Sequence, residues 1–206
     1  MPDIFKWPAD SELPRDFLSR LKESADRGGL FVYPTNTLYG LGASIGSEEA
    51  ISALFELKSR PRDLPLPVMA NAIQLNELCT VPGIFKPFLE SCDRRVTAIL
   101  PSRDSAPAAL VHRGTLAVRL PCSELTHSLV DCLGPVTSTS ANIHGLPTPP
   151  SVEDLVRQFG DMISFYIDSG MLEGQPTTLI DFTGTEPKII RKGALSREEM
   201  GRYCER

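Results

Sequence analysis

The 206-residue chain is 41% hydrophobic and 23% charged, a balance typical of soluble globular proteins, and its length suits a single core. A net charge of −5 argues against a dedicated nucleic-acid-binding module while leaving room for a local basic cleft. No run approaches the roughly 20 apolar residues a membrane helix needs, and no signal-like segment opens the chain, so a cytoplasmic protein without a membrane partner is expected.

Residues 12–29 place Phe17, Leu18 and Leu21 on one helical face and stop at Gly28 and Gly29. Residues 30–33, Leu-Phe-Val-Tyr, predict a strand. Ser47 followed by Glu48 and Glu49 predicts a capped helix carrying Ile51, Leu54 and Phe55, with Pro61 as its stop. A short strand over 65–69 and a short helix over 73–79 follow. Residues 96–101 and 115–121 predict strands that each end at proline. Ser123 caps a helix running to about Cys132, residues 134–142 form a strand entering small hydroxyl residues, and Ser151 with Asp154 opens another helix. Strands over 162–167, 177–182 and 188–193 complete the chain. Helices and strands interleave without a long gap, which predicts an α/β fold with one twisted mixed sheet and flanking helices.

The five cysteines, Cys79, Cys92, Cys122, Cys132 and Cys204, include no C-x-x-C pair, and His112, His127 and His144 are isolated from one another. Reduced thiols and no protein-ligated metal are expected. No internal repeat is evident, and residues 146–151 read as a stiff loop rather than a linker.

Two segments exceed what folding demands. In residues 58–65, Lys58 and Arg60 flank one residue beside a proline-stiffened turn, with Arg62 close behind. Guanidinium forks and an ammonium suit a polyphosphate, although basic residues at a helix C-terminus also simply complement its dipole. Residues 137–145 hold a cluster of small hydroxyl and amide side chains at a strand end, which suits a phosphate or ribose, or is a plain serine-rich loop. Neither the P-loop pattern nor G-x-G-x-x-G occurs, and no protein nucleophile with an acid-base partner is expected. The chemistry implied is positioning and charge stabilisation.

The strings YPTNTLYGLG, KSRP, LAVRLP, STSAN, TTLIDFTG and IIRKGAL stand in the order and spacing of the YrdC family, which the chain resembles over residues 12–195, leaving 1–11 and 196–206 as terminal extensions. The resemblance implies a YrdC/RibB-like α/β fold around a concave basic cavity. It also implies synthesis of L-threonylcarbamoyl-AMP from L-threonine, bicarbonate or CO2 and ATP, with pyrophosphate released and Mg2+ carried by ATP. A downstream tRNA threonylcarbamoyl transferase would take the product. By the same resemblance, Lys58 and Arg60 are catalytic and contact the ATP phosphates. Thr115, Ser138, Ser140, Asn142, Thr148 and Arg191 complete the nucleotide site, and Thr37, Arg119 and Thr177 bind threonine. Gly40 and Gly42 are expected to let the backbone pack close to the cavity floor.

This sequence departs from the family pattern where Leu64 precedes Pro65, where Met69 replaces a histidine, where Asn36 replaces an acidic residue, and at residues 92–97. Competing readings are a YciO-like relative, whose tail resembles residues 174–184, a double-stranded RNA or tRNA-binding module, and a carbamoyl-transfer domain of the hydrogenase-maturation type.

Overall fold

In the computed structural model, which describes residues 2–90, 95–196 and 198–199, eleven strands and six α-helices alternate along the chain. They run β1 (Asp3–Lys6), α1 (Arg15–Asp26), β2 (Phe31–Tyr33), β3 (Gly40–Gly42), α2 (Glu48–Leu57), β4 (Val68–Met69), α3 (Ala72–Leu78), α4 (Lys86–Glu90), β5 (Val96–Pro101) and β6 (Thr115–Arg119). Then come α5 (Glu124–Leu133), β7 (Val136–Thr137), β8 (Thr139–Ser140), α6 (Val152–Phe159), β9 (Phe165–Asp168), β10 (Thr178–Asp181) and β11 (Lys188–Arg191). The strands form two mixed sheets where one was expected, ordered β1-β9-β2-β3-β8 and β11-β10-β5-β6-β4-β7.

The chain passes between the sheets at one residue. The predicted strand over 134–142 divides into β7, antiparallel to β4 in the second sheet, and β8, antiparallel to β3 in the first. Ser138 is the crossing point, its N–H held by the Pro67 carbonyl at 2.7 Å. A two-sheet layout therefore puts the hydroxyl-rich segment at the seam.

Alternation along the strands sorts side chains into two cores. Phe31 and Tyr33 of β2, with Phe165 and Ile167 of β9, pack with Phe17, Leu21 and Ala25 of α1 and Leu125, Leu129 and Val130 of α5. From the same strands Val32 and Tyr166 turn the other way, into the larger core with Ile51 and Leu54 of α2, Val118 of β6 and Ile180 of β10.

Two strands were not expected. β1, within the segment read as a terminal extension, lies parallel to β9 with Asp3 opposite Phe165. β3 is Gly-Leu-Gly, and its glycines lie against rings: a Cβ on Gly40 would sit 2.9 Å from Tyr33 Cζ, and one on Gly42 would sit 2.2 Å from Phe31 Cε2. The strand expected over 162–167 begins instead at Phe165, after a 3-10 turn over Gly160–Met162.

The capping expectations hold in detail. Ser47, Ser123 and Ser151 accept from the N–H groups of Ala50, Thr126 and Asp154. Helix α2, however, stops before Pro61. Its end is Ser59, in the left-handed region at φ 49°, with the Arg60 N–H bonded to the Phe55 carbonyl and the Ser59 N–H to that of Glu56. A serine there carries a Cβ penalty that glycine lacks, so Ser59→Gly is expected to raise stability by about 0.5–1 kcal/mol in urea unfolding. A loss of stability would show that the serine side chain is needed at this turn.

Cys79, Cys122 and Cys132 are free thiols, and burial pushes that of Cys79 up to about 11. Cys92, Cys204 and the first half of the departure at 92–97 lie outside the described residues. No helix among the described residues is long and apolar enough to cross a membrane.

Candidate functional site

The face of the second sheet that turns away from the larger core floors a cavity of about 380 Å³, within the range of small-molecule sites. Register explains its lining. In β6, Leu116 and Val118 enter the core while Thr115, Ala117 and Arg119 face the cavity; in β5, Ala98 and Leu100 enter the core while Thr97 and Ile99 face it. Ile99 pairs with Ala117, Thr97 with Leu179, and Leu179 with Arg191, so cavity-facing residues sit side by side across four strands. The walls come from Thr37 to Gly40, the loop from Arg60 to Pro67, the crossing segment Ser138 to Ser140, and Pro176 with Thr177.

Eight of the eleven residues proposed from sequence line this one cavity: Thr37, Arg60, Thr115, Arg119, Ser138, Ser140, Thr177 and Arg191. Lys58, Asn142 and Thr148 are not among the lining residues. Lys58 is 1% exposed, and its ammonium donates to the Ser140 carbonyl at 2.5 Å, the Asn142 carbonyl at 2.7 Å and Asn142 Oδ1 at 3.1 Å. Ser59's left-handed backbone separates the pair, so that Lys58 points into the 140–142 segment while Arg60 reaches the cavity.

Positive charge dominates the lining, in which Asp63 is the one carboxylate among the described residues. Neither Arg60, Arg119 nor Arg191 forms an ion pair with any described carboxylate. Burial lowers the pKa of the Arg60 guanidinium, and nearby Arg191 adds to the effect; burial does the same to Arg191. Burial, with a smaller contribution from Arg60, brings the Lys58 ammonium down to about 7. Arg60 and Arg191 are crowded together in the cavity without an ion pair to a described carboxylate, a condition under which an anionic ligand gains most.

Each arginine is oriented by hydrogen bonds to carbonyl, amide or hydroxyl oxygens. Arg60 Nε donates to the Leu64 carbonyl at 2.8 Å and its Nη2 to that of Pro65 at 3.2 Å, and Nη1 lies 3.3 Å from His144 Nδ1. Arg191 Nη2 donates to the Thr177 carbonyl at 3.1 Å, and Thr177 Oγ1 lies 2.6 Å from Thr97 Oγ1. Arg119 Nη2 donates to Asn36 Oδ1 and to Thr37 Oγ1, while its Nε is buried without a partner. Thr35 braces that turn: its Oγ1 donates to the Leu38 carbonyl at 2.7 Å and accepts from the Thr37 and Leu38 N–H groups.

The sequence reading missed Thr97, Asp63, Tyr39 and His112, all of which line the cavity. Thr97 was recoverable, since it alternates with the core residues of β5 as Thr115 does in β6. His112 depends on a turn, in which it exchanges backbone hydrogen bonds with Thr115 at 2.9 and 3.0 Å. Of the departures, Leu64 lines the cavity, whereas Met69, in β4, is fully buried in the core with α1 and α5.

Residues 42–46, Gly-Ala-Ser-Ile-Gly, also have the Gly-x-Ser-x-Gly spacing of a nucleophile elbow. Ser44 instead forms a β-bridge with Val136, accepts from the Gly46 N–H, and lies outside the cavity lining. No group of three His, Cys, Asp or Glu side chains among the described residues could hold a metal.

Residues 23–193 match the Sua5_yciO_yrdC family model, described as "Telomere recombination". A Pyrococcus abyssi protein named threonylcarbamoyl-AMP synthase is 35% identical over 181 residues, spanning 84% of this chain and 53% of that protein. A solved structure of P. abyssi Sua5 complexed with L-threonine superposes with a TM-score of 0.87 at 28% identity, covering 98% of this chain and 60% of that one. Escherichia coli YciO gives the same TM-score at 25% identity, covering 97% and 99%. The chain thus spans little more than half of the archaeal protein and nearly all of YciO. The family match over most of the chain, the archaeal relative and the two superpositions agree: this chain belongs to the Sua5/YciO/YrdC family.

Proposed function

We propose that the cavity is the site of L-threonylcarbamoyl-AMP synthesis from ATP, L-threonine and bicarbonate or CO2. The observation that carries this reading is the convergence of Arg60, Arg119 and Arg191, none of them ion-paired to a described carboxylate, with seven serine and threonine residues around one cavity of small-molecule size. Three cations suit a carboxylate and a polyphosphate together, and hydroxyls suit a small polar amino acid. The archaeal relative's name and the threonine in the Sua5 structure support the choice of amino acid.

In this reading Arg119 takes the threonine carboxylate on its free Nε edge, with Thr37 and Thr177 orienting the rest of the amino acid. Arg60 and Arg191 hold phosphates, and Thr115, Ser138 and Ser140 contact the nucleotide. The threonine amine adds to CO2 and loses a proton to give a carbamate, whose oxygen attacks the α-phosphorus and expels pyrophosphate. Arg60 and Arg191 are placed to stabilise the charge that develops on the phosphoryl oxygens. ATP enters as its Mg2+ complex, the ion held by phosphates and water, since Asp63 alone among the described lining residues carries a carboxylate. A separate transferase would pass the threonylcarbamoyl group to tRNA.

The test is pyrophosphate release with each substrate omitted in turn. Release is expected only with ATP, threonine and bicarbonate together. Normal ATP binding without release in the complete mixture would sink the synthase reading in favour of a YciO-like activity, for which the equally close YciO superposition speaks.

A further inference from the structure

Lys58 uses its donors away from the cavity, and the acceptors it chooses have a consequence for Ser140. Its ammonium lies against two main-chain carbonyls and Asn142 Oδ1, while its own carbonyl accepts from the His144 N–H at 2.7 Å. The end of α2 and the 140–144 segment are thereby tied together by four hydrogen bonds, three of them at the buried Lys58 ammonium. The Asn142 amide is fixed in orientation: Nδ2 donates to the Ile143 carbonyl at 3.0 Å and to that of Leu146, so Oδ1 is the end facing Lys58. That same Oδ1 accepts the Ser140 hydroxyl proton at 2.6 Å. A hydroxyl has one proton to give, so toward the cavity Ser140 Oγ offers only lone pairs. A phosphate oxygen offers lone pairs as well, and two acceptors make no hydrogen bond.

We propose that Lys58 is a positioning residue which, through Asn142, turns the Ser140 hydroxyl into a pure acceptor toward the cavity, where it receives an N–H or O–H donor of a substrate and not a phosphate oxygen. The phosphates then fall to Arg60 and Arg191, whose guanidiniums do line the cavity. This deepens the proposed synthase reading, in which adenosine and threonine both bring such donors.

Lysine side-chain NMR at pH 6, below the value of about 7 to which burial brings this ammonium, tests the relay directly. The Lys58 Nζ signal, assigned by correlation to its backbone amide, is expected to show slow proton exchange and to stay in place at saturating pyrophosphate while the Arg60 and Arg191 Nε signals move. A Nζ shift comparable to theirs would overturn the proposal. In Asn142→Ala the Nζ protons are expected to exchange faster, and an unchanged signal there would equally overturn it without any ligand being needed. Ser140→Ala supplies the third arm: pyrophosphate affinity within about twofold of wild type, with a loss of about five- to tenfold for adenosine or for threonine, whichever brings the donor. Loss of pyrophosphate affinity, or no loss for either donor-bearing ligand, contradicts the acceptor assignment. If the wild-type protein binds none of the three ligands, the synthase reading fails, and the Asn142→Ala arm still decides the relay.

Discussion

Arg119→Ala is expected to raise the KM for threonine about 100-fold in pyrophosphate release, with ATP affinity within a few-fold of wild type. Arg119 is 6% exposed, its guanidinium is held by Asn36 Oδ1 and Thr37 Oγ1, and its buried Nε has no partner. An unmade hydrogen bond on a buried cationic edge is costly, and a carboxylate from the substrate is the group that relieves it with the largest gain. Lysine in its place restores charge without the planar fork, so Arg119→Lys is expected to recover only part of the loss. An unchanged threonine KM in both variants would remove Arg119 from the amino-acid site. Circular dichroism separates that result from misfolding, because Leu116 and Val118, which anchor β6 in the core, remain in place.

The second large effect concerns the fold. Gly42→Ala is expected to cost about 2–3 kcal/mol, since its Cβ would meet the Phe31 ring at 2.2 Å, and a clash that deep forces strand or ring to shift. For a chain of this size that lowers Tm by about 4–12 °C. Phe31 pairs directly with Gly42 and lies fully buried in the α1–α5 core, so the ring has little space to retreat into. The double variant Gly42→Ala with Phe31→Leu should recover part of the loss. A Tm for the single variant within a degree of wild type would show that the ring moves freely.

What the chain revealed beforehand follows from how local each feature is. The alternation in residues 115–119 was legible, and it sorts Thr115 and Arg119 to the cavity and Leu116 and Val118 to the core without any partner strand. The serine caps at 47, 123 and 151 were equally legible, because a cap is made within three residues. By contrast, β3 is hidden because glycines disfavour strands, and only the rings of Phe31 and Tyr33 across the pair explain them. β1 is hidden because four residues carry too little pattern and their partner is far along the chain. The direction of Lys58 could not be read from its spacing to Arg60, since it depends on the left-handed backbone of Ser59 and on carbonyls more than eighty residues away. Folding into two sheets instead of one was likewise a long-range matter, decided at Ser138.

The placement of β9 also sets an order in time. It lies between β1 and β2, parallel to both, with Asp3 and Phe31 each opposite Phe165. During synthesis the first sheet therefore stays without the strand that joins β1 to β2 until Asp168 has emerged, while the antiparallel pair β5 and β6 can already form within residues 96–119. The early core-facing residues Phe17, Phe31 and Tyr33 lack their packing with Phe165 and Ile167 until that strand is made, more than 130 residues later. Nascent chains stopped before residue 165 should therefore be the protease-sensitive, aggregation-prone species, and release of the remaining strand the step that protects them.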